Sequence, residues 1–189
     1  MSKNATKKTY VLDTNILMTS PNALFGFDDN DVVITGTTLQ ELDHHKNDSG
    51  ERGYNTRETI RLLDALRKQG QLLDGVLLRN GGCLILEPDC ISDNLPQGYS
   101  LEVPDNRIIR AVLGMSTSEK YKKPVILVTN DLSMRINASV CGVKVQGYLN
   151  ETVEKEADYR GTREIAVSDE CINELYEQGE VVAFADDAD

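Results

Sequence analysis

Four carboxylates stand where apolar stretches end or begin: Asp13, Glu41, Asp105 and Asp131. Asp13 directly follows Tyr10-Val11-Leu12, and a charge at the end of a buried strand is costly unless something meets it. Glu41 lies one turn into the helix expected after "VVIT", and Asp131 follows "VILVT". Asp105 opens "DNRIIRAV", with Ile108, Ile109 and Val112 at +3, +4 and +7, which puts it on the core side of the helix start. Each acid also fits a local role. Asp13, Asp105 and Asp131 suit N-caps, and Glu41 suits a capping box with Thr38. Taken together they point to another chemistry. In a parallel sheet all four elements open toward one edge, and like charges brought together there raise one another's pKa or repel. A hard divalent ion, Mg²⁺ or Mn²⁺, removes that conflict with oxygen ligands of this type. An all-oxygen set is the wrong chemistry for zinc. His44 and His45 are adjacent on a predicted helix, point in different directions and read as surface residues. No serine or cysteine stands in a base-paired context, so no side-chain nucleophile is offered.

The elements that must position these acids follow from apolar periodicity. Strands are expected at 9–12, 32–35, in "GGCLILEPDC", at 125–129 and in "GVKVQGY". Helices are expected over 14–19, from Thr38 onward, from an N-cap at Asn55 to Gly70, and over "DNRIIRAVLGM" with Ile108, Ile109, Val112 and Leu113 on one face. Residues 92–104 read as a loop. Val125 to Thr129 carry no charge, which suits a central parallel strand buried on both faces. Alternating strands and helices predict a compact three-layer α/β fold: a mainly parallel central sheet flanked by helices, with ligands collecting outside the carboxyl ends of the strands.

The charge is unevenly spread. Of the net charge of −11, residues 151–189 hold 13 acids against three bases, and residues 1–150 hold 18 acids and 17 bases. The main domain, 1–148, is thus nearly neutral, and 149–189 read as an acidic linker with a short strand (164–167), an N-cap Ser168 and a helix to Gln178. An acidic total does not exclude nucleic acid, because binding follows local charge. Lys46, Arg52, Arg57 and Arg107 are candidate phosphate contacts, against the plainer reading of solvated helix faces with i,i+4 pairs. With no Trp, seven Tyr and three Phe, no base-stacking platform is signalled. No apolar run reaches the length of a membrane span, and no secretory signal precedes Tyr10. Four cysteines, Cys83, Cys90, Cys141 and Cys171, form no CxxC pair and read as reduced thiols of a cytoplasmic protein.

"YVLDTNILM", "LQELD", "DNRIIRA" and "LVTND" together resemble the motifs of PIN-domain nucleases across residues 10–148. "PNALFGFDDNDVVI", "ELDHHK", "NTRETIRLLDALRKQG" and "TREIAVSDECINELYEQG" are similar to the PIN domain at the N-terminus of PhoH-like ATPases. The resemblance implies a metal-dependent endoribonuclease acting on single-stranded RNA. It implies that Asp13, Asp105 and Asp131 hold the main ion and that Glu41 serves a second ion or the attacking water. Asn15 and Thr129 match supporting polar positions. It also implies a homo-oligomer and a PhoH-like ATPase domain in a longer chain. This sequence contains no GxxxxGK[ST], so it is not expected to bind ATP itself. The alternatives at this level are an RNA-binding or oligomerisation module of the same fold that cuts poorly, and a receiver-type domain, which lacks its lysine here.

Overall fold

The computed structural model describes residues 7–88, 90–121 and 123–148. The linker, strand and helix expected in 149–189, and Cys171, lie outside the described residues. The elements are β1 (Thr9–Leu12), α1 (Thr14–Thr19), a 3-10 turn (Pro21–Phe25), β2 (Asp31–Thr35), α2 (Gly36–His45), α3 (Gly50–Arg67), β3 (Val76–Leu77), β4 (Cys83–Glu87), α4 (Pro104–Thr117), β5 (Val125–Val128), α5 (Leu132–Val140) and β6 (Val145–Gln146).

The six strands form one sheet in the order β3-β4-β2-β1-β5-β6, parallel throughout except for the β3–β4 pair. β1 is central, with Val11 opposite Val33 on one side and Leu127 on the other. All four of its residues are buried, as a strand covered on both faces requires. Side-chain alternation divides the core. Tyr10 and Leu12 join Ile34, Val128, Leu17, Leu42, Leu63 and Leu66 on one face, while Val11 joins Val33, Leu127, Ile108, Ile109, Val112, Met115 and Met134 on the other. α1, α2 and α3 thus cover one face, α4 and α5 the other, giving the three layers expected.

Three local expectations are corrected. α3 starts at Gly50, not at an Asn55 cap, because its first turn is polar and shows no apolar period. Asn55 is inside that helix, and its amide donates to Met18 O and Thr19 O (both 3.1 Å), closing the carbonyl end of α1. α3 also ends at Arg67, three residues before Gly70. β3 is too short, at two residues, to show alternation. Leu113 is only partly buried, at the margin of the stripe formed by Ile108, Ile109 and Val112. Cys83, Cys90 and Cys141 are free thiols. No helix among the described residues is long and apolar enough to cross a membrane.

Candidate active site

Parallel pairing carries the ends of β1 and β5 to the same edge, and the first acid sits between them. Asp13 is 4 % exposed. Its backbone N–H still donates to Val128 O (3.0 Å), so the strand pairing extends to the acid itself. Its Oδ1 accepts from the Thr14 N–H (2.6 Å), and its Oδ2 accepts from the Thr129 hydroxyl (2.6 Å). Asp13 therefore does cap α1, as its plainer reading required. Two hydrogen bonds nevertheless fall short of compensating a buried charge. Desolvation chiefly, with repulsion from Asp105 and Glu41, pushes its pKa up to about 6.

The same opposing charges connect the remaining acids. Asp105 is half-buried and its pKa is raised, first by desolvation and then by Asp131. It is the second residue of α4, whose N-cap is Val103, so it is not a cap. Asp131 is exposed and does cap α5, its Oδ1 accepting from Met134 N (2.9 Å). Glu41 takes no part in a capping box. Thr35 caps α2 by accepting from Thr38 N (3.1 Å), and Glu41 lies two turns in, where Oε2 accepts from the Thr14 hydroxyl (2.6 Å). Repulsion thus reaches from Glu41 through Asp13 and Asp105 to Asp131. Among the described residues, no three His, Cys, Asp or Glu side chains are already drawn into a coordinating group.

Thr129 is the hub. Its hydroxyl donates to Asp13, accepts from the Asp131 N–H (3.0 Å) and lies 3.4 Å from Asn15 Nδ2. Asn15 Oδ1 is buried and has no hydrogen-bond partner among the described residues. Carboxylates, a buried amide oxygen without a donor and no nitrogen or sulfur ligand suit a hard cation. Sequence reasoning missed Thr14. Its signal was a hydroxyl directly after the strand-end acid, in "DTN".

The candidate phosphate contacts separate. Arg57 donates to Lys46 O (2.9 Å) and lies 3.4 Å from Asp48 O, tying down the α2–α3 connection, and Lys46 Nζ pairs with Asp43 (2.6 Å). Arg61 pairs with Glu58 (3.4 Å), as a solvated helix face would. Arg52 borders a recess of about 340 Å³ that also includes Asn15, Glu51 and Asn55, and its guanidinium lies 3.3 Å from Met18 Sδ, 3.4 Å from His45 Nε2 and 3.8 Å from Asp48 Oδ2. Arg107 lines a second cavity between α2 and α4. His44 is exposed, and His45 Nδ1 is 2.9 Å from Asp48 Oδ2.

The raised Asp13 value sets a pH dependence. The folded state holds a proton at this carboxyl between about pH 4 and 6 that the unfolded chain has already released, so ionising Asp13 costs stability as pH rises through that window. The cost is absent below pH 4 and reaches roughly 3 kcal/mol above pH 6. Urea unfolding in metal-free buffer should therefore show a wild-type minus Asp13→Asn stability difference that grows more negative from pH 4 to 7. A difference that stays flat across that range would mean that Asp13 is not strained by its charge.

A protein-family model described as PIN domain matches residues 10–149. The protein PhoH2 of Bacillus subtilis (strain 168) is 36% identical over 179 residues, covering 92% of this chain and 40% of that protein. PhoH2 of Thermobispora bispora is 31% identical over 185 residues, covering 95% and 41%. The chain thus spans about two-fifths of the length of these curated relatives. Among solved structures, a domain of a functionally unknown protein from Methanocaldococcus jannaschii aligns over 85% of this chain and 98% of its own, with a TM-score of 0.49 and 15% identity.

Proposed function

This chain belongs to the PIN-domain family, and on that premise we propose that it is a divalent-metal-dependent endoribonuclease that hydrolyses phosphodiester bonds of single-stranded RNA. The observation that carries the reading is Asp13. A carboxylate 4 % exposed, pushed up to about 6 and faced by Asp105 and Glu41, is a poor element of stability and a good seat for a cation.

In this reading Asp13, Asp105 and Asp131 hold Mg²⁺ or Mn²⁺, and Glu41 serves a second ion or the attacking water. When bound, such an ion acidifies water and stabilises the charge that grows on the phosphate. The chain's own side chains do the positioning. The Thr129 hydroxyl holds one oxygen of Asp13, and the Thr14 N–H holds the other. The Thr14 hydroxyl fixes the direction of Glu41. Asn15 leaves an unshared carbonyl oxygen beside them. Arg52 and Arg107 offer positive charge to the RNA backbone on either side. A homo-oligomer, a cytoplasmic setting and a PhoH-like ATPase domain following in a longer chain are parts of the same proposal.

The test is to incubate the chain with end-labelled single-stranded RNA, single-stranded DNA and duplex RNA in Mg²⁺ or Mn²⁺, and again after EDTA. Internal cutting of single-stranded RNA that stops with EDTA supports the proposal. RNA retained but uncut in either metal favours a binding module. A parallel melting series gives an independent reading. Mn²⁺ at one hundred times its dissociation constant should stabilise the fold by about 2.7 kcal/mol, reversed by EDTA. A melting temperature indifferent to Mn²⁺ up to millimolar concentration would remove the ion from this site.

A further inference from the structure

We propose that the cavity between α2 and α4 seats the nucleotide flanking the scissile phosphate, with its phosphate on Arg107 and its base against Ile91 and Leu101; this rests on the nuclease reading above. The cavity has a volume of about 480 Å³, within the range of small-molecule sites, and its wall includes Thr37, Gln40, Ile91, Leu101, Arg107 and Arg110.

Its position follows from the two helices that form it. Each carries one of the candidate catalytic acids and, next to it, a cavity residue. Gln40 precedes Glu41 on α2, and Arg107 follows Asp105 by two on α4. Side chains one or two positions apart on a helix point in different directions, but Thr35 on the cavity wall ends β2, and the parallel register of β2 with β1, Val11 opposite Val33, carries it level with Asp13 one strand spacing away, about 4.8 Å. A chain of nucleotides with one phosphate at the acids therefore has its next unit within reach of this cavity.

The lining suits one nucleotide. Arg107 Nε is buried and has no hydrogen-bond partner among the described residues, an orphaned donor that an incoming anion would satisfy. Arg110, by contrast, is committed, donating to Ser92 O (2.8 Å) and pairing with Asp93 (3.3 Å). Glu87 on the same wall presents no bare charge to a phosphate, because Lys120 Nζ (2.7 Å) and the Tyr121 hydroxyl (2.5 Å) both donate to it. Ile91 and Leu101 are 62 % and 42 % exposed, apolar surface that a base would cover. The placement of Ile91 is built in. A Cβ on Gly114 of α4 would lie 2.7 Å from the Ile91 carbonyl carbon, so only glycine lets that loop rest on the helix. Thr37 and Gln40 add a hydroxyl and an amide for the edge of a base.

The test uses the whole chain as Asp13→Asn, so that bound RNA stays intact. Its probes are a fluorescent five-nucleotide single-stranded RNA and versions with one abasic position moved along it. Arg107→Gln should weaken binding tenfold or more for every RNA. Ile91→Ala, at an exposed side chain that the core does not need, should weaken the intact RNA about fivefold and cost nothing when the abasic position occupies the cavity. With Asp13 restored, Arg107→Gln should raise KM with kcat within twofold. A folded Arg107→Gln chain that binds within twofold of its parent overturns the proposal, as does an Ile91→Ala penalty equal at every abasic position. The two readings fail separately. RNA cut by the wild type but bound independently of Arg107 and Ile91 overturns the cavity alone. RNA bound through both residues yet uncut in Mg²⁺ and Mn²⁺ leaves the cavity standing and overturns the nuclease.

Discussion

Asp13→Asn should lower metal-dependent RNA cleavage by roughly 10³-fold, equivalent to about 4 kcal/mol of transition-state stabilisation, while leaving the metal-free protein as stable as the wild type or more so. The opposite signs come from one residue. Asparagine keeps the shape of the side chain and one carbonyl oxygen to accept the Thr14 N–H. It loses the charge that burial, Asp105 and Glu41 all oppose. Relief of up to about 3 kcal/mol at neutral pH is partly offset because the Thr129 hydroxyl, which donates to Asp13 Oδ2, would face an amide N–H in one of the two amide orientations. A net gain of 1–2 kcal/mol would raise the melting temperature by roughly 2–8 °C for a domain of this size. Stabilisation by Mn²⁺ should disappear in the same variant. Rates, metal-free melts and Mn²⁺ titrations on one preparation check all three. Cutting at the wild-type rate would remove Asp13 from the chemistry. A large loss of metal-free stability would show instead that its cap of α1 outweighs its electrostatic cost.

Gly53→Ala should destabilise the fold by about 3 kcal/mol, against the gain of up to 1 kcal/mol that this exchange gives in an ordinary helix. Gly53 is the fourth residue of α3, and its φ is unexceptional, so conformational freedom is not the reason. Close approach is. A Cβ there would lie 1.8 Å from Asp48 O and 2.6 Å from Asp48 C, backbone atoms with no rotamer to move. Relief requires α3 to slide against the chain that leads out of α2. That slide would strain the Arg57 hydrogen bond to Lys46 O, the Asn55 bonds to the end of α1, and the contacts of Arg52 with Met18 and His45. Gly98→Ala is the control, since a Cβ there meets nothing within 4 Å. Equilibrium urea unfolding of the two variants decides it. Gly53→Ala at wild-type stability would mean that the α2–α3 junction is plastic.

Much of this molecule is legible locally. Tyr10 to Leu12 and Val125 to Val128 are runs without a charge, and such runs fit a parallel sheet covered on both faces. A carboxylate directly after the first run, Asp13, and another three residues beyond the second, Asp131, mark the edge where a ligand would bind, and the order of the acids along the chain carries the family. Periodicity also located the core face of α4. Where an element's pattern was weak, boundaries slipped: the polar first turn of α3 hid five helical residues, and two-residue β3 had no alternation to show.

Tertiary structure alone decided the partners. Asp13 meets Thr129 across 116 positions, and Glu41 meets Thr14 across 27. Which hydroxyl reaches which carboxylate depends on strand register and helix rotation, neither of which a one-dimensional pattern encodes. The same holds for Asp105, free of capping because the helix begins one residue earlier at Pro104, and for Asp131, which does cap. The cavity between α2 and α4 draws its wall from three separate stretches of chain. Composition and spacing announced the charges, because those are properties of single residues and their neighbours. The energy of those charges came only with the fold, because burial, repulsion and an orphaned donor exist only once distant segments have closed around them.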